Sequence, residues 1–228
     1  MCARLVLWDV DHTLVDAGGA GWHLYETTFA QMFGRTIPAA AALAGRTDRA
    51  IALDVLALGG ITEPRAEVEA FQRLLAARAP GFASVIAARG RVLPGAKEAL
   101  ARSQGQFIQS VLTGNMRALA QVKLTALGLA AFVDLSIGAY GDSHEIRADL
   151  VPVARAAATA AYGGDFTGTS TVLVGDTPLD IEAALAAGAR AVGVATGSST
   201  ASDLAAAGAH AVLPDLTRTG DVMAALTG

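Results

Sequence analysis

The chain has 228 residues, 53% of them hydrophobic and 17% charged, with a formal net charge of −4. That length holds one large domain or a core with a small insertion, and the composition is that of a globular protein rather than a disordered one. No uninterrupted apolar stretch approaches the length of a membrane span, and no run of Lys or Arg appears, so neither a membrane nor nucleic acid is the expected partner. Cys2 is the only cysteine, so no intrachain disulfide can form, which suits a reducing cytoplasm. The first strand starts so early that no signal peptide is expected before it. A monomer or a homodimer is the expected state.

The first element is the apolar run Leu5-Val6-Leu7-Trp8, which reads as a buried parallel strand within residues 4–10 and ends on Asp9-Val10-Asp11-His12-Thr13-Leu14. Residues i and i+2 of an extended chain point to the same side, so both carboxylates project from the strand's C-terminal end. Two crowded acids beside an apolar sheet repel one another and are costly to desolvate, so the spacing asks for a metal. A turn or helix cap is the plainer use of Asp at such a place.

From Asp16 to Arg89 no strand stands out. Trp22, Tyr25, Phe29 and Phe33 repeat at helical spacing, as do Ile51, Val55 and Leu58, and then Val68, Phe71 and Leu75, which predicts three or four helices over residues 17–89. The aromatic stripe Trp22, Tyr25, Phe29 reads as the core of this helical unit rather than as a substrate platform. His23 beside it reads as a partly exposed polar residue outside any site. Gly18, Gly19 and Gly21 at one end and Arg89-Gly90 at the other mark the crossings into and out of the unit.

Further strand-like segments follow at roughly 107–113, 132–137, 171–175 and 190–195, alternating with amphipathic stretches. This is the pattern of an α/β protein with a doubly wound, mostly parallel sheet, built from residues 1–16 and 90–228. Thr113-Gly114-Asn115 ends one strand, Gly175-Asp176-Thr177-Pro178-Leu179-Asp180 ends another, and Arg147 precedes a helical segment between them. The helix after Asn115 carries Leu119, Val122 and Ala126 on one face and stops at Gly128. Leu185–Val192 and Leu204–Val212 each read as a helix, a Gly stop and a strand. Thr177 as N-cap and Pro178 at the first helical position put Asp180 at the third, where an acid stabilises a helix start without any catalytic role. Thr113 has a plain reading as a turn residue, and Arg147 as a surface partner of Glu145 or Asp149.

In order and content these pieces resemble the haloacid dehalogenase superfamily of aspartyl-phosphate enzymes, over nearly the whole chain. Asp9, Asp11 and Thr13 are similar to its first motif, Thr113 to its second, Arg147 to the basic third, and Asp176 with Asp180 to the acidic fourth. Leu93-Pro94-Gly95-Ala96 and Gly45-Arg46-Thr47-Asp48 resemble phosphoglycolate-phosphatase-type members. His12 stands where Gly is usual, which a turn admitting αL permits, and Arg147 stands where Lys is usual, exchanging a point charge for a fork.

The resemblance implies a Rossmann-like core with an inserted helical cap that moves, and hydrolysis of a small phosphorylated metabolite through an aspartyl-phosphate. It implies Mg2+ held by the Asp9 and Asp176 carboxylates and the Asp11 backbone carbonyl. Asp9 is then the nucleophile and Asp11 the acid and base. Thr113, Gly114, Asn115 and Arg147 hold the phosphate, and Asp180 supports. Asp11 disfavours a dehalogenase, which lacks that second acid. The only lysines, Lys97 and Lys123, lie outside the helical unit, which removes the nucleophile of an imine-forming phosphonatase. A sugar-phosphate mutase is the alternative, and a non-catalytic binding module the more distant one. Arg46 and Asp48 are candidate specificity residues. Lys123 is expected two turns into its helix, roughly 12 Å along the axis from the phosphate site at 1.5 Å per residue, too far for contact. Lys123→Ala is therefore expected to change little, whereas Arg147→Ala is expected to lose at least about a hundredfold.

Overall fold

The computed structural model describes residues 4–38 and 41–228; Cys2 lies outside them. Strand β1 (Leu5–Trp8) and the short β2 (Val15–Asp16) lead into four helices, α1 (Ala20–Phe33), α2 (Asp48–Leu58), α3 (Pro64–Arg78) and α4 (Ala83–Arg89), closed by β3 (Arg91–Val92). The chain then alternates through α5 (Ala96–Ser103), β4 (Ile108–Thr113), α6 (Arg117–Ala126), β5 (Ala139–Tyr140), α7 (Leu150–Tyr162) and β6 (Thr171–Gly175). It ends with α8 (Pro178–Ala186), β7 (Arg190–Val194), α9 (Ala201–Ala206), β8 (Ala211–Leu213) and α10 (Thr219–Thr227).

Six strands form one parallel sheet in the order β5-β4-β1-β6-β7-β8. The run Leu5–Trp8 makes a central strand because it is apolar on both faces: Val6 and Trp8 enter one core cluster with α5, α6 and α10, while Leu5 and Leu7 enter the other with α7, α8 and α9. That is the burial a parallel strand covered on both sides requires. The indole N–H of Trp8 donates to Gln109 Oε1 at 3.1 Å, so this bulky group is buried without an orphaned donor.

The third strand departs from the sequence-based expectation. The segment 132–137 is not a strand; Ala130–Phe132 forms a 3-10 turn and the chain pairs with β4 only at Ala139 and Tyr140. Asp134 is the reason, because its Oδ1 accepts from the Ser136 amide at 2.9 Å and the Ser136 hydroxyl at 2.6 Å. Such a local turn competes with the ladder for the backbone. The strand after Gly208, by contrast, is present as β8.

Helices α1 to α4 bury Phe29, Phe71, Leu24, Leu75 and Ile86 together in a third cluster. Two residues at each crossing pair antiparallel, Val15 with Val92 and Asp16 with Arg91, tying the neck of the helical unit. These strands are too short for a two-residue period to reveal. Helix α6 serves both layers. Ala120 and Leu124 pack on the sheet, whereas Met116 and Leu119 enter the helical unit's core, with Val122 and Ala126 packed against it.

Candidate active site

The register of the central strands brings the acids together. Trp8 lies opposite Val111 on one side and Val174 on the other, so Asp9, Thr113 and Asp176 all emerge at the C-terminal edge, where strand order reverses around β1. Ligands of open α/β sheets bind at that position. The next residues turn sharply: His12 has φ 57, and its carbonyl accepts from the Thr196 hydroxyl. The turn does admit an L-residue.

Arg147 is 6% exposed and reaches into this edge. Its Nη2 lies 2.7 Å from Asp9 Oδ1 and 2.5 Å from Asp180 Oδ1, and its terminal nitrogens also donate to the carbonyls of Gly45 at 3.2 Å and Leu112 at 3.3 Å. It is not a surface partner of Glu145, which pairs instead with Arg65 at 2.7 Å. Asp180 is a helix cap and also an ion-pair partner of Arg147. Oδ2 accepts from the Thr177 amide at 3.0 Å and the Thr177 hydroxyl at 2.7 Å as a helix cap, while Oδ1 faces Arg147.

Asp9, Asp176 and Asp180 each offer a carboxylate oxygen within 4.8 Å of the others. Burial, opposed by Arg147 and reinforced by the neighbouring acids, pushes Asp9 up to about 6. Burial and the repulsion of Asp9 and Asp180 push Asp176 up to about 8. One guanidinium among three buried acids leaves a deficit of positive charge, and Asp180 Oδ1 has no aligned hydrogen-bond donor. Hard oxygen donors in small number, short of a cation, fit Mg2+. Two glycines make the acids' packing possible. A Cβ at Gly175 would collide with the Asp180 carboxyl, and one at Gly197 with Asp176 Oδ2. Sequence pattern gave no sign of Gly197.

The Asp11 carboxylate turns away from this group and meets Lys123, contrary to the distance expected for that lysine. Lys123 is 3% exposed, and its Nζ donates to Asp11 Oδ1 at 2.8 Å, Asp11 Oδ2 at 2.6 Å and Asn115 Oδ1 at 2.6 Å. Asn115 Nδ2 adds a bond to Asp11 Oδ2 at 2.7 Å. Burial works against the charge on Asp11, but the Lys123 ammonium and these hydrogen bonds hold its carboxyl below its usual value. The axial distance misled because the cleft runs along α6 rather than ending at the start of that helix. A usable signal was present: Lys123 lies four residues after Leu119 and three before Ala126, a cation on the helix's buried stripe.

Thr113 is fully buried. Its Oγ1 accepts from the Asn115 amide at 3.2 Å and from Asn115 Nδ2 at 2.8 Å, which leaves the hydroxyl proton for a ligand. Asp48 links the helical unit to this loop. Its amide donates to the Gly114 carbonyl at 2.6 Å, and its carboxylate accepts from the Met116 amide at 2.6 Å and the Tyr25 hydroxyl at 2.9 Å. Asp48 therefore docks the two layers and is not free to select a substrate. Of the aromatic stripe, Tyr25 and Phe29 are buried as expected, but Trp22 lines the cleft that holds Asp9, Asp11 and Asp176. His23 does not line it.

The family model for haloacid dehalogenase-like hydrolases matches residues 6–185. The chain belongs to that family. A curated relative, "Probable phosphatase IndB" of Dickeya dadantii (strain 3937), is 36% identical over 124 residues, 53% of this chain and 50% of that protein. The chain thus spans about half the length of the curated relative it matches. Among solved structures, a predicted phosphatase from Clostridium acetobutylicum shares 17% identity at TM-score 0.71, over 98% of this chain and 100% of that one. A hydrolase from Pseudomonas syringae shares 21% at TM-score 0.67, over 97% and 98%. A protein of Bacteroides vulgatus provisionally named a beta-phosphoglucomutase shares 18% at TM-score 0.67, over 99% and 89%. At these identities the structures establish the haloacid dehalogenase-like fold, a parallel sheet flanked by helices, and no more. No helix among the described residues is long and apolar enough to cross a membrane.

Proposed function

We propose that this family member is a Mg2+-dependent phosphatase that hydrolyses a small phosphorylated metabolite through an aspartyl-phosphate on Asp9. The observation that carries the reading is Asp9 itself, held by Arg147 at 2.7 Å through one oxygen, with Asp11 and the Thr113–Gly114 turn at the same sheet edge. Asp9 and Asp176 would hold Mg2+ together with the Asp11 carbonyl, and Asp180 would support them. Bound there, the ion supplies positive charge against the phosphate oxygens.

Asp9 attacks phosphorus through its other oxygen, and the ester bond breaks. Asp11, whose carboxyl Lys123 holds below its usual value in the free protein, takes up a proton from solvent as the charged ester enters, gives it to the departing oxygen, then takes one from the water that hydrolyses the aspartyl-phosphate. The Thr113 hydroxyl, the Gly114 amide and Arg147 hold the equatorial oxygens, while Asn115, whose amide and Nδ2 are spent on Thr113 and Asp11, positions those two groups rather than touching the phosphate. The helices between β2 and β3 serve as a cap over this edge. A screen of phosphorylated metabolites with Mg2+, following phosphate release, tests the reading; no turnover of any ester would overturn it. A sugar-phosphate mutase is the second reading, favoured by the fold shared with the Bacteroides vulgatus protein. It would isomerise a hexose phosphate without releasing phosphate.

EDTA is expected to abolish activity and Mg2+ to restore it, while Ca2+, which seeks more ligands in a looser geometry, substitutes poorly. Protons compete with the ion, because Asp9 sits at about 6 and Asp176 at about 8 in the metal-free protein. Mg2+ affinity, read from thermal shift, should therefore rise with pH through that window. Affinity independent of pH would show that these acids do not bind the ion.

Lys123→Met removes the ammonium that holds the Asp11 carboxyl low, so the limb of the pH–rate profile that Asp11 carries is expected to move to higher pH. The shift should be larger for an alkyl phosphate, whose leaving oxygen needs a proton, than for nitrophenyl phosphate. A pH–rate profile unmoved on both esters would show that the lysine does not act through Asp11.

A further inference from the structure

The cleft over Asp9 has a volume of about 670 Å3, within the roughly 300–1,000 Å3 of small-molecule sites and roomier than a phosphate needs. Its remaining space is bounded on the helical unit's side by Trp22, Leu43 and Ile51 and on the α6 side by Leu119. Tyr25 also lines it, but its hydroxyl is spent on Asp48.

Among the described residues, every arginine and lysine lining the cleft has a carboxylate partner. Arg147 is 2.7 Å from Asp9, Lys123 is 2.6 Å from Asp11, Arg46 is 2.7 Å from Asp54 and Arg91 is 2.8 Å from Asp16. Arg46 also donates through Nη1 to the Ala42 carbonyl at 3.1 Å, and with Asp54, which does not line the cleft, it borders a second depression beside Ala50 and Leu53, so Asp54 draws its guanidinium to that side. A second anionic group on the substrate would lose water here and meet acids without a free cation, which is costly. A neutral ring-bearing group would bury apolar surface against Trp22 and the aliphatic wall.

We infer that, given the phosphatase reading above, the substrate is the phosphate monoester of a neutral, ring-bearing alcohol or phenol, and that Asp54 enforces this by neutralising Arg46. Phosphate is the only anion the cleft accepts. Esters that carry a carboxylate or a second phosphate are rejected, although the chain resembles phosphoglycolate-phosphatase-type members in its motifs.

The test is kcat/KM with Mg2+ for benzyl phosphate, ethyl phosphate and phosphoglycolate. The wild type is expected to prefer benzyl phosphate over phosphoglycolate by about tenfold or more. Trp22→Ala should narrow the gap between benzyl and ethyl phosphate by raising KM for the former. Asp54→Asn keeps the side chain's shape and lies on an exposed surface. It should leave benzyl phosphate turnover unchanged while raising kcat/KM for phosphoglycolate about threefold to fivefold, the scale of one exposed ion pair. A wild-type preference for phosphoglycolate, or an Asp54→Asn variant with unchanged discrimination, overturns the inference and leaves the phosphatase reading standing. No turnover of any ester fails that reading itself, and this inference with it.

Discussion

Asp9→Asn is expected to lower phosphate-ester turnover by about four orders of magnitude or more, the scale on which loss of a nucleophile is felt, with the fold retained. The substitution keeps the shape of the side chain and removes the attacking charge. Its effect on stability has a definite sign. Asp9 in the folded protein sits at about 6, above its ordinary value of 3.8. The native state therefore binds more protons than the unfolded one between those values, and the contribution of Asp9 to stability falls as pH rises through that window. At neutral pH the ionised group is a net cost to the metal-free protein. Metal-free Asp9→Asn should thus melt at least as high as the wild type at pH 7, with its relative advantage growing from pH 4 to pH 7, while the stabilisation by Mg2+ is largely lost. Near-normal turnover in this variant would refute the mechanism. A lower melting temperature at pH 7 would show that the Arg147 pair outweighs the burial cost.

Arg147→Ala should do two kinds of damage. Turnover is expected to fall at least about a hundredfold, because a donor to the equatorial oxygens is lost. Stability of the metal-free protein should fall by about 3–5 kcal/mol, the cost of leaving buried charges without their partner, since Asp9 and Asp180 both rest on this one guanidinium. Mg2+ should recover part of the stability and little of the activity. Arg147→Lys keeps the charge but cannot span Asp9, Asp180 and the carbonyls of Gly45 and Leu112 together, so it should fall between wild type and Ala in both measurements. Steady-state kinetics and melting curves with and without Mg2+ on both variants decide the matter. An Ala variant as active as the Lys variant would remove Arg147 from the phosphate site.

Much of the catalytic edge is legible in the amino-acid sequence. An apolar run ending in Asp9-Val10-Asp11 has only one place to go, the middle of a parallel sheet, and Thr113 and Asp176 follow strands of the same kind. Their meeting is a consequence of strand direction, which alternation with helices announces. Asp180 is half legible: the capping geometry of Thr177 and Pro178 can be read locally, but its second oxygen turns to a residue far away in sequence.

Whatever rests on local period and on strand polarity is therefore written in the chain itself. This covers the core strands β1, β4, β6 and β7, the helical run between Ala20 and Arg89, the stop at Gly128, and the set of acids at one sheet edge. The pairings that depend on long-range approach belong to the tertiary fold. It gives Lys123 to Asp11 and Asn115, ties Asp48 to Met116 and Tyr25, puts Trp22 at the cleft rather than wholly in a core, and moves the third strand to Ala139–Tyr140. The physical reason is the same in each case. A side chain's reach and partner are set by packing between elements distant in sequence, and a buried charge is placed by whatever opposite charge the fold brings within about 3 Å. Periodicity along one helix or strand contains neither.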